Sequence, residues 1–164
     1  HPPPPQQPPP STQPPLKILS LNVRGLGDAQ KRQALFGALL RRGVDVVCLQ
    51  ETKRPASTRE NWSQGWHGFS LWASSPAAHG QAGVAILLHP RLPAPLSHFT
   101  SPDGRSLSLL LEWEGVGLNF INIYGPAEAQ DRGAFFSSLP EGLVPPASEL
   151  EVFHVACGDW NCVE

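Results

Sequence analysis

The stretch LKILSLNVRGLGDAQKRQALFGALLRRGVDVVCLQ, residues 16–50, decides the fold class. Its two ends, residues 16–22 and 44–50, are mostly apolar runs of the length of a buried β-strand. Between them Asp28 is a good helix N-cap, and residues 29–42 repeat their large apolar side chains on one helical face before a glycine ends the helix. The order strand, helix, strand predicts an α/β protein.

The residues that follow predict further strands joined by short turns. Apolar or alternating runs lie at residues 69–73, 82–89, 105–113, 116–124 and 151–161. Glu114-Gly115 fits a tight hairpin turn, so we expect mostly antiparallel sheets. A short helix is expected at residues 129–139, where Phe135, Phe136 and Leu139 would pack.

The chain divides into a tail and one domain. Residues 1–15, HPPPPQQPPPSTQPP, contain nine prolines and no large apolar side chain, so we predict a disordered proline-rich tail. Residues 16–164 hold enough apolar residues for one core, and we expect them to be the N-terminal portion of a domain. The chain begins with His1 and contains no Met, which indicates a fragment.

Composition limits the class of protein and its partners. No run approaches the roughly 20 apolar residues of a membrane span, so we expect no membrane partner. Three cysteines without CxxC spacing favour free thiols in a reducing, intracellular compartment, and we expect the nucleus. A net charge of −2 argues weakly against DNA, although bound metal can neutralise phosphate in place of protein charge.

Several apolar strands end on a polar side chain that could bind a hard cation or a phosphate. These residues are Asn22, Glu51, Tyr124, Asp159 and Asn161. Strand ends at one rim of a sheet bring such side chains together. Carboxylate and amide oxygens suit Mg²⁺, which commonly uses one or two protein carboxylates and leaves its other positions to water and phosphate.

Five motifs carry a family resemblance: LNVRGL, CLQETK, GVAILL, NIYGP and GDWN, at residues 21–161. Their order and spacing resemble the endonuclease/exonuclease/phosphatase family over residues 16–164. The resemblance implies a four-layer α/β/β/α sandwich, DNase I-like and incomplete at the C-terminus, because members also carry a later Asp and a Ser-Asp-His motif. We therefore expect this chain alone to fold poorly, to leave faces such as that of residues 105–113 uncovered, and to be catalytically inefficient.

Within that family the chain looks most like the endonuclease domain of LINE-type (non-LTR) retrotransposons. Repair enzymes usually carry an acidic or amide residue two places after the strand Asn, where this chain has Arg24, whereas Lys53 resembles the repair branch. An abasic-site repair endonuclease, a phosphatase or lipid phosphodiesterase, and a non-catalytic retroelement relic stay open as alternatives.

The resemblance also implies a role for each matching residue. Glu51 would bind Mg²⁺, or Mn²⁺ in its place, with Asn22 supporting the metal shell. Asp159 would orient or deprotonate the attacking water, and Asn161 and Tyr124 would hydrogen-bond the scissile phosphate of a DNA substrate. The oligomeric state stays open.

Other prominent residues are assigned to structure. Most of Trp62, Trp66 and Trp72 should pack in the core or in loops, and Cys48 and Cys157 are expected to be structural. Trp160 should turn inward, so that the residues on either side of it face one rim. The histidines lack metal-ligand spacing, and none is placed in the site.

Deleting residues 1–15 should leave the melting temperature unchanged, because this segment has no large apolar side chain to dock on the domain. Thermal melts of both forms followed by circular dichroism check this. A fall of many degrees on deletion would show that the tail packs on the fold.

Overall fold

Two four-stranded sheets stack face to face in the computed structural model, which describes residues 1–7, 9, 13–77 and 80–162. Parts of the proposed tail and the last two residues lie outside that range. The elements in chain order are β1 (Ile18–Asn22), α1 (Ala29–Arg41), β2 (Val46–Gln50), β3 (Ser70–Ala73), β4 (Val84–Leu88), β5 (Ser97–Thr100), β6 (Ser106–Trp113), β7 (Val116–Tyr124), α2 (Ala129–Ser137), a 3₁₀ helix (Glu141–Leu143) and β8 (Val152–Asp159).

The first sheet has the order β1-β2-β4-β3 and the second the order β5-β6-β7-β8. Only β1 with β2, and β7 with β8, pair in parallel among the described strands; the other pairs are antiparallel. The prediction of mostly antiparallel sheets is confirmed. Glu114 (φ 50°) and Gly115 (φ 81°) form the predicted tight turn between β6 and β7.

Alternate side chains of β2 pack into two different apolar cores, one on each face of the first sheet. Val46 and Cys48 face the second sheet and share a core with β6 and β7. Val47 and Leu49 face the other way, toward Phe36 and its neighbours on α1. Because this strand is buried on both faces, it reads as a continuous apolar run in the sequence.

The fourth layer lies on the outer face of the second sheet. Leu139 and Leu143 line an apolar cavity of about 470 Å³ there together with Ile121 and Ile123, the outward side chains of β7. The helix α2 itself contributes no buried residue, and the phenylalanines expected to pack from it are only half-buried. The predicted α/β/β/α arrangement is confirmed, with a thin outer layer among the described residues.

Four local expectations were wrong. The strand β1 is not buried, since it is an edge strand with Ile18 42% and Leu21 38% exposed. The strand β5 lies outside the runs for which strands were predicted. Residues 106–111 of β6 are buried, so that face is covered. Trp160 follows the end of β8 and is 37% exposed, with its ring 5.8 Å from that of Phe136.

One buried amide joins the sheets. Asn122 on β7 donates from Nδ2 to the carbonyl oxygens of Leu49 on β2 and Ala85 on β4, both at 2.9 Å. Its Oδ1 accepts from Nε2 of Gln50, also at 2.9 Å. Because both amides are buried, their hydrogen bonds hold the sheets at one separation and one lateral register.

Among the described residues, no helix is long and apolar enough to cross a membrane.

Replacing Asn122 by Ala should lower the free energy of unfolding by about 2 kcal/mol or more, because buried partners in both sheets lose a hydrogen bond. Asn119→Ala is the matched control: Asn119 is equally buried on β7 but bonds Leu143 and His154 on its own side of the fold. Urea unfolding should show the larger loss for Asn122→Ala. Equal losses would refute the inter-sheet role.

Candidate active site

The two parallel strand pairs place the five predicted site residues at one edge of the sandwich. Asn22 at the end of β1 pairs with Gln50 at the end of β2, and Tyr124 at the end of β7 pairs with Asp159 at the end of β8. Parallel strands end at the same edge of a sheet, so each pair delivers both of its final side chains there. The stacked sheets then bring the two edges together.

The loop after β1 is bonded to the loop after β2. Gly25 N donates to the carbonyl oxygen of Glu51 at 2.6 Å, and Leu26 N donates to that of Thr52 at 2.9 Å. Glu51 itself has a left-handed backbone conformation (φ 53°), which is uncommon for residues other than glycine. These backbone bonds stabilise a conformation that Glu51 would seldom adopt alone. They therefore fix the backbone position from which its side chain extends toward the site.

The side chain of Asn22 is shared by two carboxylates from different sheets. Its Nδ2 donates to Oε2 of Glu51 and, at 2.9 Å, to Oδ2 of Asp159. Its Oδ1 accepts from the backbone N of Arg24 at 3.0 Å, which fixes the orientation of the amide. Asn22 thus gathers Glu51 and Asp159 around a single donor.

Asn161 extends the site on the side of β8. Its backbone N donates to Oδ1 of Asp159 at 3.0 Å, and its Nδ2 donates to the carbonyl oxygen of Gly125 at 2.7 Å. Its side chain is also hydrogen-bonded to the Tyr124 phenol. The left-handed conformation of Asn161 (φ 52°) allows one residue to reach all three partners.

Tyr124 is buried, with 6% of its surface exposed. Burial and the negative charge of Glu51, with a smaller effect of Asp159, raise the pKa of its phenol, while the hydrogen bond to Asn161 and the charge of Arg105 act in the opposite direction. The phenol therefore stays protonated and can donate a hydrogen bond at neutral pH.

An open cleft of about 380 Å³ lies against this cluster. Its lining is Ser20, Asn22, Gln50, Gly158, Asp159, Trp160, Asn161 and Cys162. Three of the predicted site residues line it directly. Glu51 and Tyr124 adjoin it through their hydrogen bonds to Asn22 and Asn161.

The donor set fits a divalent cation held mostly by water and substrate. Neither Glu51 nor Asp159 forms an ion pair with a cationic side chain of the described residues, so two neighbouring carboxylates share one neutral amide. Nor does a group of three or more acidic, histidine or cysteine side chains suited to a metal occur in the described part of the chain. One or two carboxylates are the usual protein share of a Mg²⁺ site.

Sequence reasoning missed the residues that support this cluster. Gln50 and Asn122 form the buried link beneath it, and Arg105 packs against Tyr124. A signal was present for Asn122: it lies two residues from Phe120 and from Tyr124, on the inward face of an apolar strand. A polar residue at such a position must find a buried partner.

Comparison with known proteins gives the family and its relatives. Residues 19–163 match the model of the Endonuclease/Exonuclease/phosphatase family. A relative, the "Transposon TX1 uncharacterized 149 kDa protein" of Xenopus laevis, is 28% identical over 152 residues, which are 89% of this chain and 11% of that protein.

Solved structures share the fold at low sequence identity. The D. rerio TDP2 structure complexed with single strand DNA product has a TM-score of 0.62 and 20% identity, covering 91% of this chain and 62% of that one. The AP endonuclease LMAP from Leishmania major has a TM-score of 0.55 and 18% identity, covering 68% of this chain and 40% of that one. The chain thus spans less than two thirds of either structure.

The match over residues 19–163 shows that this chain, which has the DNase I-like sandwich, belongs to the endonuclease/exonuclease/phosphatase family.

Proposed function

We propose that the site hydrolyses a DNA phosphodiester with Mg²⁺ bound, as the endonuclease domain of a LINE-type retrotransposon would. The observation that carries the proposal is the pair of carboxylates, Glu51 and Asp159, that Asn22 joins across the two sheets without a cationic partner among the described residues. Family membership supports phosphoester chemistry, and the similarity to a transposon protein favours DNA nicking.

Glu51 would hold the cation, and Asn22 would keep the Glu51 carboxylate in place. Mg²⁺ held there would supply positive charge for a phosphoryl oxygen and for the leaving 3′ oxygen. The backbone bonds between the loops limit the movement of Glu51, so little reorganisation is needed when substrate binds.

Asp159 would act on the attacking water. Each of its oxygens accepts one hydrogen bond, from Asn22 to Oδ2 and from the backbone N of Asn161 to Oδ1. A carboxylate oxygen can accept more than one, so Asp159 can still orient a water and take its proton. Its two fixed partners set the direction from which that water approaches.

Asn161 and Tyr124 would bind the scissile phosphate. The Asn161 amide donates to the carbonyl of Gly125 and is also hydrogen-bonded to the Tyr124 phenol, so the two side chains would meet the phosphate side by side. The Tyr124 phenol stays protonated beside it, since burial and the nearby carboxylates raise its pKa. Donors fixed in this way stabilise charge as it develops on the phosphoryl oxygens.

Two cations flank this cluster without a hydrogen bond or ion pair from their side chains to any residue that the structure describes. They are Arg24 (φ 51°) and Lys53 (φ 57°), in the loops that carry Asn22 and Glu51. By contrast, Lys31 of α1 is engaged, since its Nζ donates to the Val23 and Gly25 carbonyl oxygens at 2.7 Å. We assign Arg24 and Lys53 to the backbone phosphates of DNA.

Glu51→Gln should weaken metal binding, and Asp159→Asn should slow nicking by about 10²-fold or more, because each removes a charged group that the site uses directly. Electron paramagnetic resonance of Mn²⁺ measures binding. Relaxation of supercoiled plasmid measures nicking, and a single cut is enough to register. Glu112→Gln is the control, since Glu112 is exposed on β6.

The Mn²⁺ measurement tests whether Glu51 binds metal even where nicking is slow. Mn²⁺ that binds wild type and Glu51→Gln equally would refute the site. In a protein extended through the later Asp and the Ser-Asp-His motif that family members carry, metal binding without nicking of plasmid would favour the non-catalytic relic.

The double variant Arg24→Gln/Lys53→Gln should bind duplex oligonucleotides more weakly, and the slope of log affinity against log salt should fall by about one for each lost phosphate contact. Fluorescence anisotropy without metal measures both. Arg41→Gln, an exposed cation at the far end of α1, should change neither. An unaltered slope in the double variant would exclude these phosphate contacts.

A further inference from the structure

Arg105 contacts Tyr124 in three ways. Its carbonyl oxygen accepts from Tyr124 N at 2.8 Å, and its guanidinium donates from Nη1 to the Tyr124 carbonyl oxygen at 3.2 Å. The guanidinium carbon also lies 5.1 Å from the centre of the phenol ring, within the range of a cation–π interaction. One residue thus binds both backbone polar groups of Tyr124 and covers its ring.

Arg105 is itself held by a compact turn. Oδ1 of Asp103 accepts from Arg105 N at 3.0 Å and from Oγ of Ser101 at 2.5 Å. Gly104 has a left-handed backbone (φ 70°), and a Cβ there would lie 2.4 Å from the Ser74 carbonyl oxygen. Any other residue at Gly104 would force the turn to shift. The turn therefore fixes the direction in which the Arg105 side chain extends.

The charge of Arg105 opposes the effect of the two site carboxylates on the phenol. Glu51 and Asp159 raise the pKa of Tyr124, whereas the hydrogen bond from Asn161 and the Arg105 guanidinium lower it. A cation beside the ring makes the phenol more acidic, and a more acidic phenol is a stronger hydrogen-bond donor to an anion. Arg105 therefore affects both the place and the strength of that donor.

We propose that Arg105 is the positioning residue of Tyr124: it holds the phenol against Asn161 and strengthens its hydrogen bond to the substrate phosphate. Arg105 acts through Tyr124 and is not assigned a contact with substrate. The catalytic consequence rests on the proposed function, whereas the interaction with Tyr124 can be tested without turnover.

The test uses the fact that Tyr124 is the only tyrosine in the chain. Incorporation of a fluorinated tyrosine gives one ¹⁹F resonance, and its more acidic phenol titrates at lower pH than tyrosine. In metal-free buffer, Arg105→Gln should move the midpoint of that titration to higher pH, since a positive charge is lost. Arg105→Lys should keep the titration midpoint close to that of wild type, because lysine keeps the positive charge. Its ¹⁹F chemical shift should still differ from wild type, because lysine lacks the planar guanidinium.

Arg91→Gln is the matched control. Arg91 also stacks on an aromatic ring, that of Trp113 at 5.3 Å, and also makes hydrogen bonds, to the Asp45 carboxylate. Its loss should destabilise the fold without moving the Tyr124 titration. A general loss of stability is thereby separated from a specific effect on the phenol.

An Arg105→Gln midpoint and chemical shift equal to wild type would overturn the proposal. Should that variant fail to fold, Arg105→Lys decides by itself, since a ¹⁹F shift identical to wild type would show that the guanidinium does not contact the ring. Where wild type nicks plasmid, Arg105→Gln should lower kcat by about tenfold to hundredfold with KM little changed. Nicking of plasmid bears on the proposed function alone, and the titration decides on Arg105 whether or not plasmid is cut.

Discussion

The hydrogen bonds of the Asn122 amide are the constraint on which the rest of the structure depends. A sandwich held by apolar contact alone can slide, since dispersion and hydrophobic burial have little directionality. Asn122 bonds two carbonyl oxygens of the opposite sheet and the Gln50 amide, so sliding would break several buried hydrogen bonds at once. The active-site edge begins at Gln50, one residue before Glu51 and beside Asn22, and the link therefore lies where alignment between the sheets matters most.

That alignment explains why the two parallel pairs are the ones that carry the site. Most of the sheet area is antiparallel, in which neighbouring strands end at opposite edges. This site takes residues from the ends of two strands in each sheet, all at the same edge of the sandwich. The parallel pairs β1 with β2 and β7 with β8 provide those strand ends. The distance of 2.9 Å from Asn22 to Asp159 shows the result: side chains 137 residues apart in sequence share a hydrogen bond.

The sequence was informative where a residue's neighbours along the chain determine its structure. The helix α1, the strand β7 and the hairpin turn at Glu114 follow from periodicity and turn chemistry, and the motifs placed all five site residues on one rim. Tertiary context decided the rest. The exposure of β1 depends on its place at a sheet edge, and Trp160 turned outward because β8 ends just before it and a partner ring, that of Phe136, lies there. Arg105 could not be found from the chain alone, since its role depends on a strand register that pairs distant residues.

The cost of the site is visible in its backbone. Arg24, Glu51, Lys53 and Asn161 have left-handed conformations although none is glycine, and each costs on the order of 1 kcal/mol. Glycine would remove that cost, but it would also remove the carboxylate, the amide or the cation that the position supplies. The loops compensate locally, with backbone hydrogen bonds between the segments after β1 and β2 and with the Asn161 bonds to Asp159 and Gly125. Among the described residues, only Glu114 in the hairpin turn shares this conformation outside the site. The concentration of the other four at the site is the pattern expected where function rather than stability selects the side chain.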